Sequence, residues 1–123
     1  MNLVPPSKAE QIESLLHFKA YRLVKEWIGP DQSVGDFYTK VFTVTRLEVE
    51  EYARQKYRIE DFAKSSPGEQ DGFYAIRVPS GYLTYGQERG EKFSEGLVQS
   101  ENDVWHLVIE YILLRSGTGL KFR

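Results

Sequence analysis

The sequence predicts an α+β fold with N-terminal helices, a three-stranded or larger antiparallel β-meander and a buried C-terminal helix. Three observations lead to this prediction. Apolar residues recur at helical spacing over residues 8–28, alternating segments separated by glycine-containing turns fill residues 73–98, and residues 101–115 are apolar on nearly every side. A chain of 123 residues can bury a real core, so a single domain, 1–123, is expected.

The first helix is predicted over residues 8–28. Ser7 and Glu10 have the spacing of a capping box at its start, and Gly29-Pro30 ends it. The apolar residues at helical spacing are Ile12, Leu15, Leu16, Ala20, Leu23, Val24 and Trp27. Three further residues widen the apolar face: Phe18, Tyr21 and Ile28. This helix is therefore expected to touch more than one neighbouring element.

Residues 37–44 fit two structures, and the sequence leaves both open. A strand would place Tyr38, Phe42 and Val44 on one face, whereas Phe37, Val41 and Val44 also fit a helical spacing. A second helix is predicted over residues 46–57, after the capping-box pair Thr45 and Glu48. A loop rich in Ser, Pro, Gly and charged residues follows it.

The meander is predicted from three strands, 73–78, 82–89 and 92–98. A two-residue loop at Ser80-Gly81 would pair Val78 with Leu83 and Ile76 with Tyr85. A second loop at Arg89-Gly90-Glu91 would bring Leu83 near Leu97 and Tyr85 near Glu95. On this register one face of the sheet is expected to meet the C-terminal helix through Tyr74, Ile76, Val78, Leu83 and Tyr85. The residues facing away are then Phe73, Arg77, Tyr82, Thr84 and Glu88.

The last helix is predicted over residues 101–115, with Ser100 or Asn102 as its cap and acidic residues in its first turn. Only His106, Glu110 and Arg115 interrupt its apolar surface. A helix apolar on nearly all sides must be largely buried. We therefore expect it to lie across the meander at the centre of the fold.

The composition narrows the functional classes. A net charge of −2 argues against a dedicated nucleic-acid-binding protein, and the absence of cysteine excludes disulfides, zinc thiolate sites and thiol catalysis. The N-terminus has no basic region followed by an apolar run, and the most apolar segment, 104–114, is too short to span a bilayer. A soluble cytoplasmic protein without cofactor, metal or membrane contact is expected, as a monomer or weak dimer.

Glu88 and Arg89 lie in the densest cluster of charged residues. Glu88, Glu91 and Glu95 lie near one turn and could supply the paired carboxylates that general acid–base or glycosidase chemistry requires. Charged residues at a strand end are common and contribute little, so a polar corner of the sheet is the favoured interpretation. The two histidines, His17 and His106, are in no metal-binding pattern, and packed or surface positions are favoured for them.

An acidic run, Glu48, Glu50 and Glu51, lies on the second predicted helix. The favoured interpretation is a solvated helix face. The alternative is an acidic patch that steers a basic partner toward the protein.

The segment "FYAIRVPSGYLTYGQERGEKFSEGLVQSENDVWHLVIEYIL", residues 73–113, resembles the C-terminal half of certain bacterial polymorphic-toxin immunity proteins. The matching residues are Gly81, Tyr82, Tyr85, Glu88, Arg89, Gly90, Phe93 and Trp105. The resemblance implies a cytoplasmic protein without catalytic activity that binds one cognate toxin domain and blocks its active site or its access to substrate. It covers a third of the chain, and residues 1–72 resemble no family.

The first hypothesis is therefore an immunity protein. Its expected contacts with the toxin are Tyr82, Tyr85, Glu88 and Arg89, with Glu48 and Glu51 as a steering patch. Two alternatives remain open. One is a small enzyme or ligand-binding domain whose pocket, between sheet and helices, uses Glu88, Arg89 and His106; the other is a regulatory subunit of a larger assembly.

Overall fold

A computed structural model describes residues 4–123 and shows an α+β fold, which confirms the predicted class. The described residues form five α-helices and one four-stranded sheet. The helices are α1 (Lys8–Leu16), α2 (Ala20–Ile28), α3 (Tyr38–Val41), α4 (Arg46–Lys56) and α5 (Glu101–Leu114). The strands are β1 (Ala63–Lys64), β2 (Gly72–Val78), β3 (Gly81–Glu88) and β4 (Glu91–Val98). Two short 3₁₀-helices lie at Val34–Asp36 and Ile59–Asp61.

The chain divides into two compact units. One comprises Met1–Ala53 and Ile112–Arg123, and the other comprises Arg54–Tyr111. The first unit contains α1, α2 and α3, and the second contains the whole sheet. The expectation of a single domain stays a prediction.

The predicted helix 8–28 is two helices, because the backbone leaves the helical conformation at Phe18, whose φ is +58°. The N–H of Lys19 donates to the carbonyl of Ser14 at 2.7 Å, and the N–H of Phe18 donates to the carbonyl of Leu15 at 3.3 Å. These two bonds form a Schellman motif, in which glycine usually occupies the left-handed position. The apolar spacing continues across the break, so the pattern alone did not reveal it.

The break exposes two of the residues that were expected to widen the apolar face. The exposed fraction is 54% for Phe18 and 62% for Tyr21, whereas Ile28 is buried. The expectation is therefore confirmed for Ile28 and wrong for Phe18 and Tyr21.

The strand alternative for residues 37–44 is wrong, since Tyr38–Val41 is α3. The helix is favoured over the strand because it buries Val41. Phe42 and Val44, which follow the helix, are buried as well. The ring of Phe42 packs edge-on against Phe122 near the chain end, with 6.5 Å between centroids. The helix starts follow the sequence: the capping boxes at Ser7 and Thr45 and the Ser100 cap of α5 all form.

The sheet has the strand order β1-β2-β3-β4. The meander β2-β3-β4 is antiparallel, as predicted, whereas the two-residue strand β1 was not predicted and pairs parallel with β2.

The turn between β2 and β3 is Pro79-Ser80, so Val78 pairs with Gly81 and Ile76 with Leu83. The predicted register of β2 against β3 is therefore wrong by two residues. The expected pairing of Leu83 with Leu97, between β3 and β4, is confirmed. The reason is that Gly81 belongs to the strand: its φ is +141°, and a Cβ there would lie 2.1 Å from the carbonyl oxygen of Val98.

A β-bulge in β4 decides which face of the sheet meets α5. One extra residue lies in β4 between the pairs Thr84–Gly96 and Gly86–Phe93, and Ser94 has a φ of +53°. The bulge places Phe93 beside Gly86 on the face that also carries Phe73.

The α5 ring of Tyr111 lies 5.6 Å from the ring of Phe73 and 6.5 Å from that of Phe93. The helix therefore meets the face opposite to the one predicted. Both faces carry aromatic residues, so alternation alone could not distinguish them.

The C-terminal helix is buried along most of its length, as predicted. Its buried residues are Val104, Trp105, Val108, Ile109, Ile112 and Leu113, whereas Leu114 is exposed. Within the second unit, Trp105 packs edge-on against Phe62, and Phe62 packs edge-on against Tyr57.

Gly86→Ala is expected to destabilise the protein by about 1–3 kcal/mol, the usual cost of overpacking. A Cβ at Gly86 would lie 2.3 Å from the ring of Phe93. Gly96→Ala is the matched control, since the atom nearest to its added Cβ is the Thr84 hydroxyl oxygen at 3.8 Å. Urea unfolding of both variants measures the difference; equal losses would contradict the position of the Phe93 ring.

Phe18→Gly is expected to be more stable than Phe18→Ala by about 1 kcal/mol, because both remove the ring but only glycine adopts a left-handed conformation without strain. Thermal unfolding of the two variants measures this difference. An alanine variant as stable as the glycine variant would contradict the Schellman motif at this position.

Candidate protein-binding surface

Glu88 and Arg89 lie at the tight turn between β3 and β4. The turn residues Arg89 and Gly90 have φ values of +52° and +81°, the pattern of a type I′ turn. The N–H of Arg89 donates to a carboxylate oxygen of Asp71 at 2.9 Å, which ties the turn to the start of β2. Both side chains are exposed, so the turn forms a charged tip.

Tyr82 lies at the other end of β3, six residues before Glu88. At a rise of about 3.4 Å per residue the two are roughly 20 Å apart. The half-buried ring of Tyr82 instead faces Arg77, its partner across the β2–β3 pair, with 5.6 Å between the guanidinium carbon and the ring centroid. The residues expected at one sheet corner are therefore divided between two ends of the hairpin.

Tyr85 lies in the core and is only 1% exposed. Its ring stacks on Tyr74 at 4.8 Å, and the ammonium group of Lys92 lies 4.7 Å from the ring centroid. Tyr85 is therefore not part of an exposed contact surface.

The loop before β2 covers this tyrosine pair. The hydroxyl of Tyr74 donates to the carbonyl of Gln70 at 2.6 Å, and the amide of Gln87 donates to the carbonyls of Gly68 and Gln70 at 2.8 and 3.2 Å. The hydroxyl of Tyr85, by contrast, has no hydrogen-bond partner among residues 4–123.

Burial raises the pKa of both tyrosines above the ordinary value of 10.0. The Tyr85 phenol and the Asp71 carboxylate raise the pKa of Tyr74 further, and Glu95 does the same for Tyr85. The folded state therefore favours the neutral phenols. This contribution to stability is complete below the unfolded pKa of about 10 and declines as the pH rises from there through the higher folded pKa.

The acidic run of α4 does not form one patch. Glu48 accepts a hydrogen bond from the ammonium group of Lys8 and another, at 2.9 Å, from the N–H of Thr45. The Lys8 bond, followed by the Thr45 bond, holds the pKa of Glu48 below its ordinary value. Glu50 is buried and Glu51 is exposed, so the three carboxylates have different environments.

His106 is an exposed residue of α5. Its Nε2 lies 3.4 Å from the side-chain amide of Asn102, whose oxygen accepts a hydrogen bond from Arg54 at 2.6 Å. The enzyme alternative placed His106 with Glu88 and Arg89, which lie at the β3–β4 turn. Among residues 4–123, no group of three or more His, Asp or Glu side chains is arranged to hold a metal ion.

β4 is one of the two edge strands of the sheet, and its two halves differ in charge. Residues 91–95 carry Glu91, Lys92 and Glu95 together with the bulge, and such charges and bulges protect an edge strand from pairing. Residues 96–100 carry no charge. We call residues 96–99 the open edge.

The open edge continues an apolar row across the sheet. Leu97 is 58% exposed and pairs with Leu83, which in turn pairs with Ile76. The side chains of Leu83 and Ile76 are half-buried. Sequence reasoning missed this surface, although the uncharged run between Glu95 and Glu101 was visible in the sequence.

No family model, curated protein or solved structure matches this chain. None of the helices within residues 4–123 is both long and apolar enough to cross a membrane.

Several of the residues that carry the resemblance to immunity proteins have a structural role in the β3–β4 hairpin. Gly81 permits the close approach to Val98, Arg89 and Gly90 form the turn, and Phe93 covers Gly86. These residues thus describe a hairpin geometry, which by itself implies no partner.

Tyr85→Phe is expected to leave the free energy of unfolding unchanged or to raise it, because the lost hydroxyl is buried without a partner. Tyr74→Phe is expected to lower it by about 1 kcal/mol, because a buried hydrogen bond is lost. Urea unfolding at neutral pH compares the two. A larger loss for Tyr85→Phe than for Tyr74→Phe would contradict this arrangement.

Proposed function

We propose that this protein is an immunity protein, which binds a cognate bacterial toxin domain and blocks its active site or its access to substrate. The observation that carries the proposed contact is the exposure of Leu97 at the uncharged, outermost position of the sheet. The proposal that the partner is a toxin rests on the resemblance of residues 73–113 to polymorphic-toxin immunity proteins.

An unprotected edge strand presents backbone N–H and C=O groups that another chain can pair with. Binding by strand addition uses these groups for affinity and the neighbouring side chains for specificity. At the open edge the neighbouring side chains are Leu97, Leu83 and Ile76, which form a continuous apolar row. A strand added beside β4 would extend this row by one apolar side chain placed opposite Leu97.

Charged residues of the hairpin supply the second part of the proposed interface. Arg77 pairs with Tyr82 beside the open edge, whereas Glu88 and Arg89 lie at the far turn, roughly 20 Å away. The backbone N–H of Arg89 is bonded to Asp71, and the Arg77 guanidinium lies against the Tyr82 ring, so the turn backbone and the Arg77–Tyr82 contact are formed before any partner arrives. A preformed surface loses little conformational entropy on binding. Of the steering residues, Glu51 is exposed, whereas Glu48 is engaged by Lys8.

The test is co-expression of the protein with the toxic domain encoded immediately upstream of it, scored by survival and co-purification. Wild-type protein is expected to rescue growth and to form a complex. Leu97→Lys places a charge at the open edge and is expected to weaken binding by about tenfold or more. Leu114→Lys is the matched control, because Leu114 is 75% exposed on α5 and lies outside the proposed contacts.

Failure of wild-type protein both to rescue growth and to co-purify would overturn the proposed function. A complex without rescue would instead favour a subunit of a larger assembly. Equal binding by the Leu97 and Leu114 variants would remove the open edge from the interface, and Glu88→Ala with Arg89→Ala would then test the charged turn.

A further inference from the structure

The two edge strands of the sheet differ in length. At one side β1 has two residues, whereas β4 at the other side has eight. Because two residues present too few backbone groups for a further strand to pair with, a strand can be added only beside β4. The charges and the bulge of residues 91–95 confine this addition to the open edge.

The backbone follows β3 along the whole open edge. Gly96, Leu97 and Val98 pair with residues of β3. Gln99 still runs beside that strand, since a Cβ at Gly81 would lie 2.9 Å from its Cα. Gly96, Leu97 and Gln99 are exposed, so a further strand has access to this side of β4.

The open edge is complementary to itself about a two-fold axis. Two identical strands related by an axis perpendicular to the sheet pair in an antiparallel direction, and residues directly opposite each other lie on the same face. With the axis at Leu97, the two copies of this leucine are opposite each other. The apolar row Ile76, Leu83 and Leu97 then continues into the same row of the second copy.

Glu95 and Gln99 complete the match at both ends of the pairing. Glu95 raises the pKa of Tyr85 and therefore lies on the face that carries Leu97. The axis at Leu97 places each Glu95 opposite Gln99 of the other copy. The carboxylate accepts a hydrogen bond from the amide there, and no two like charges meet.

The neighbouring registers match less well. An axis at residue 95 places the two Glu95 carboxylates opposite each other, and like charges in that position are destabilising. An axis at residue 96 or 98 places Leu97 opposite Glu95 or Gln99, which interrupts the apolar row. The sequence of the edge therefore favours one register.

We propose that the open edge pairs with the open edge of a second copy of this chain, in an antiparallel register centred on Leu97. The pairing joins the two four-stranded sheets into one, and it ends at the dimer because each copy uses the same surface. A contact of a few residues per chain is far smaller than a standard interface, so the dimer is weak. A partner strand can then replace the second copy; this last consequence alone rests on the proposed function.

The experiment is sedimentation equilibrium of the full chain without any other protein, from micromolar to millimolar concentration. The average mass of wild-type protein is expected to rise from 14.3 kDa toward twice that value. Leu97→Lys places two ammonium groups at the axis and is expected to remain monomeric. Leu114→Lys is the matched control, because Leu114 is exposed on α5 outside the open edge, and it is expected to dimerise like wild type.

Charge variants at Gln99 test the register and leave Leu97 in place. Gln99→Lys puts an ammonium group opposite each Glu95 and is expected to tighten the dimer by roughly two- to tenfold. Gln99→Glu puts like charges opposite each other and is expected to weaken the dimer by a similar factor.

A cross-link provides a direct measure of the pairing. The chain has no cysteine, so Leu97→Cys introduces a single thiol. In the proposed dimer the two thiols are within reach of a disulfide, and oxidised glutathione is expected to link them faster than it links the control variant Leu114→Cys.

Three results would overturn the inference. Wild-type protein that stays monomeric at millimolar concentration would exclude the dimer and leave the proposed function to its own test, since no toxin is present. A dimer that persists in Leu97→Lys would assign self-association to another surface. Equal effects of Gln99→Lys and Gln99→Glu, or equal rates of cross-linking for the two cysteine variants, would exclude the register centred on Leu97.

Discussion

The contact between the ring of Phe93 and the backbone of Gly86 is the constraint on which the second unit depends. The Phe93 ring occupies the space that a side chain at position 86 would need. A Cβ at Gly86 would lie only 2.3 Å from the ring. Tyr111 then packs against Phe93 and Phe73 together. A bulge, a glycine and two phenylalanines thus determine which face of the sheet α5 covers.

The opposite face of the sheet is covered by a loop instead of a helix. The loop before β2 covers Tyr74 and Tyr85 through hydrogen bonds to its carbonyl groups, and that cover extends over only part of the face. The row Ile76, Leu83 and Leu97 lies beyond it and remains partly exposed. The open edge therefore has two causes: the loop before β2 does not reach it, and the charged residues of β4 lie only in the other half of the strand.

Positions that stability does not explain are found in both units. Phe18 has a strained backbone and an exposed ring, and Leu97 is exposed on an edge strand without a neighbouring charge. Glycine would relieve the strain at the first position, and a charged residue would protect the edge strand from pairing at the second.

The sequence by itself determined the class of the fold, the helix caps at Ser7, Thr45 and Ser100, the meander and the burial of α5, because these depend on local spacing and on composition. Only the tertiary structure decided the break at Phe18, the Pro79-Ser80 turn, the face that α5 covers and the burial of Tyr85. The last three depend on contacts between different segments of the chain: Gly81 with Val98, Gly86 with Phe93, and Gln87 with the loop before β2. The break at Phe18 is closed by local bonds, but no glycine marks it in the sequence. The candidate surface was also predicted only in part. The charged turn at Glu88 and Arg89 follows from the local sequence pattern, whereas the exposure of Leu97 follows from the order of the strands in the sheet.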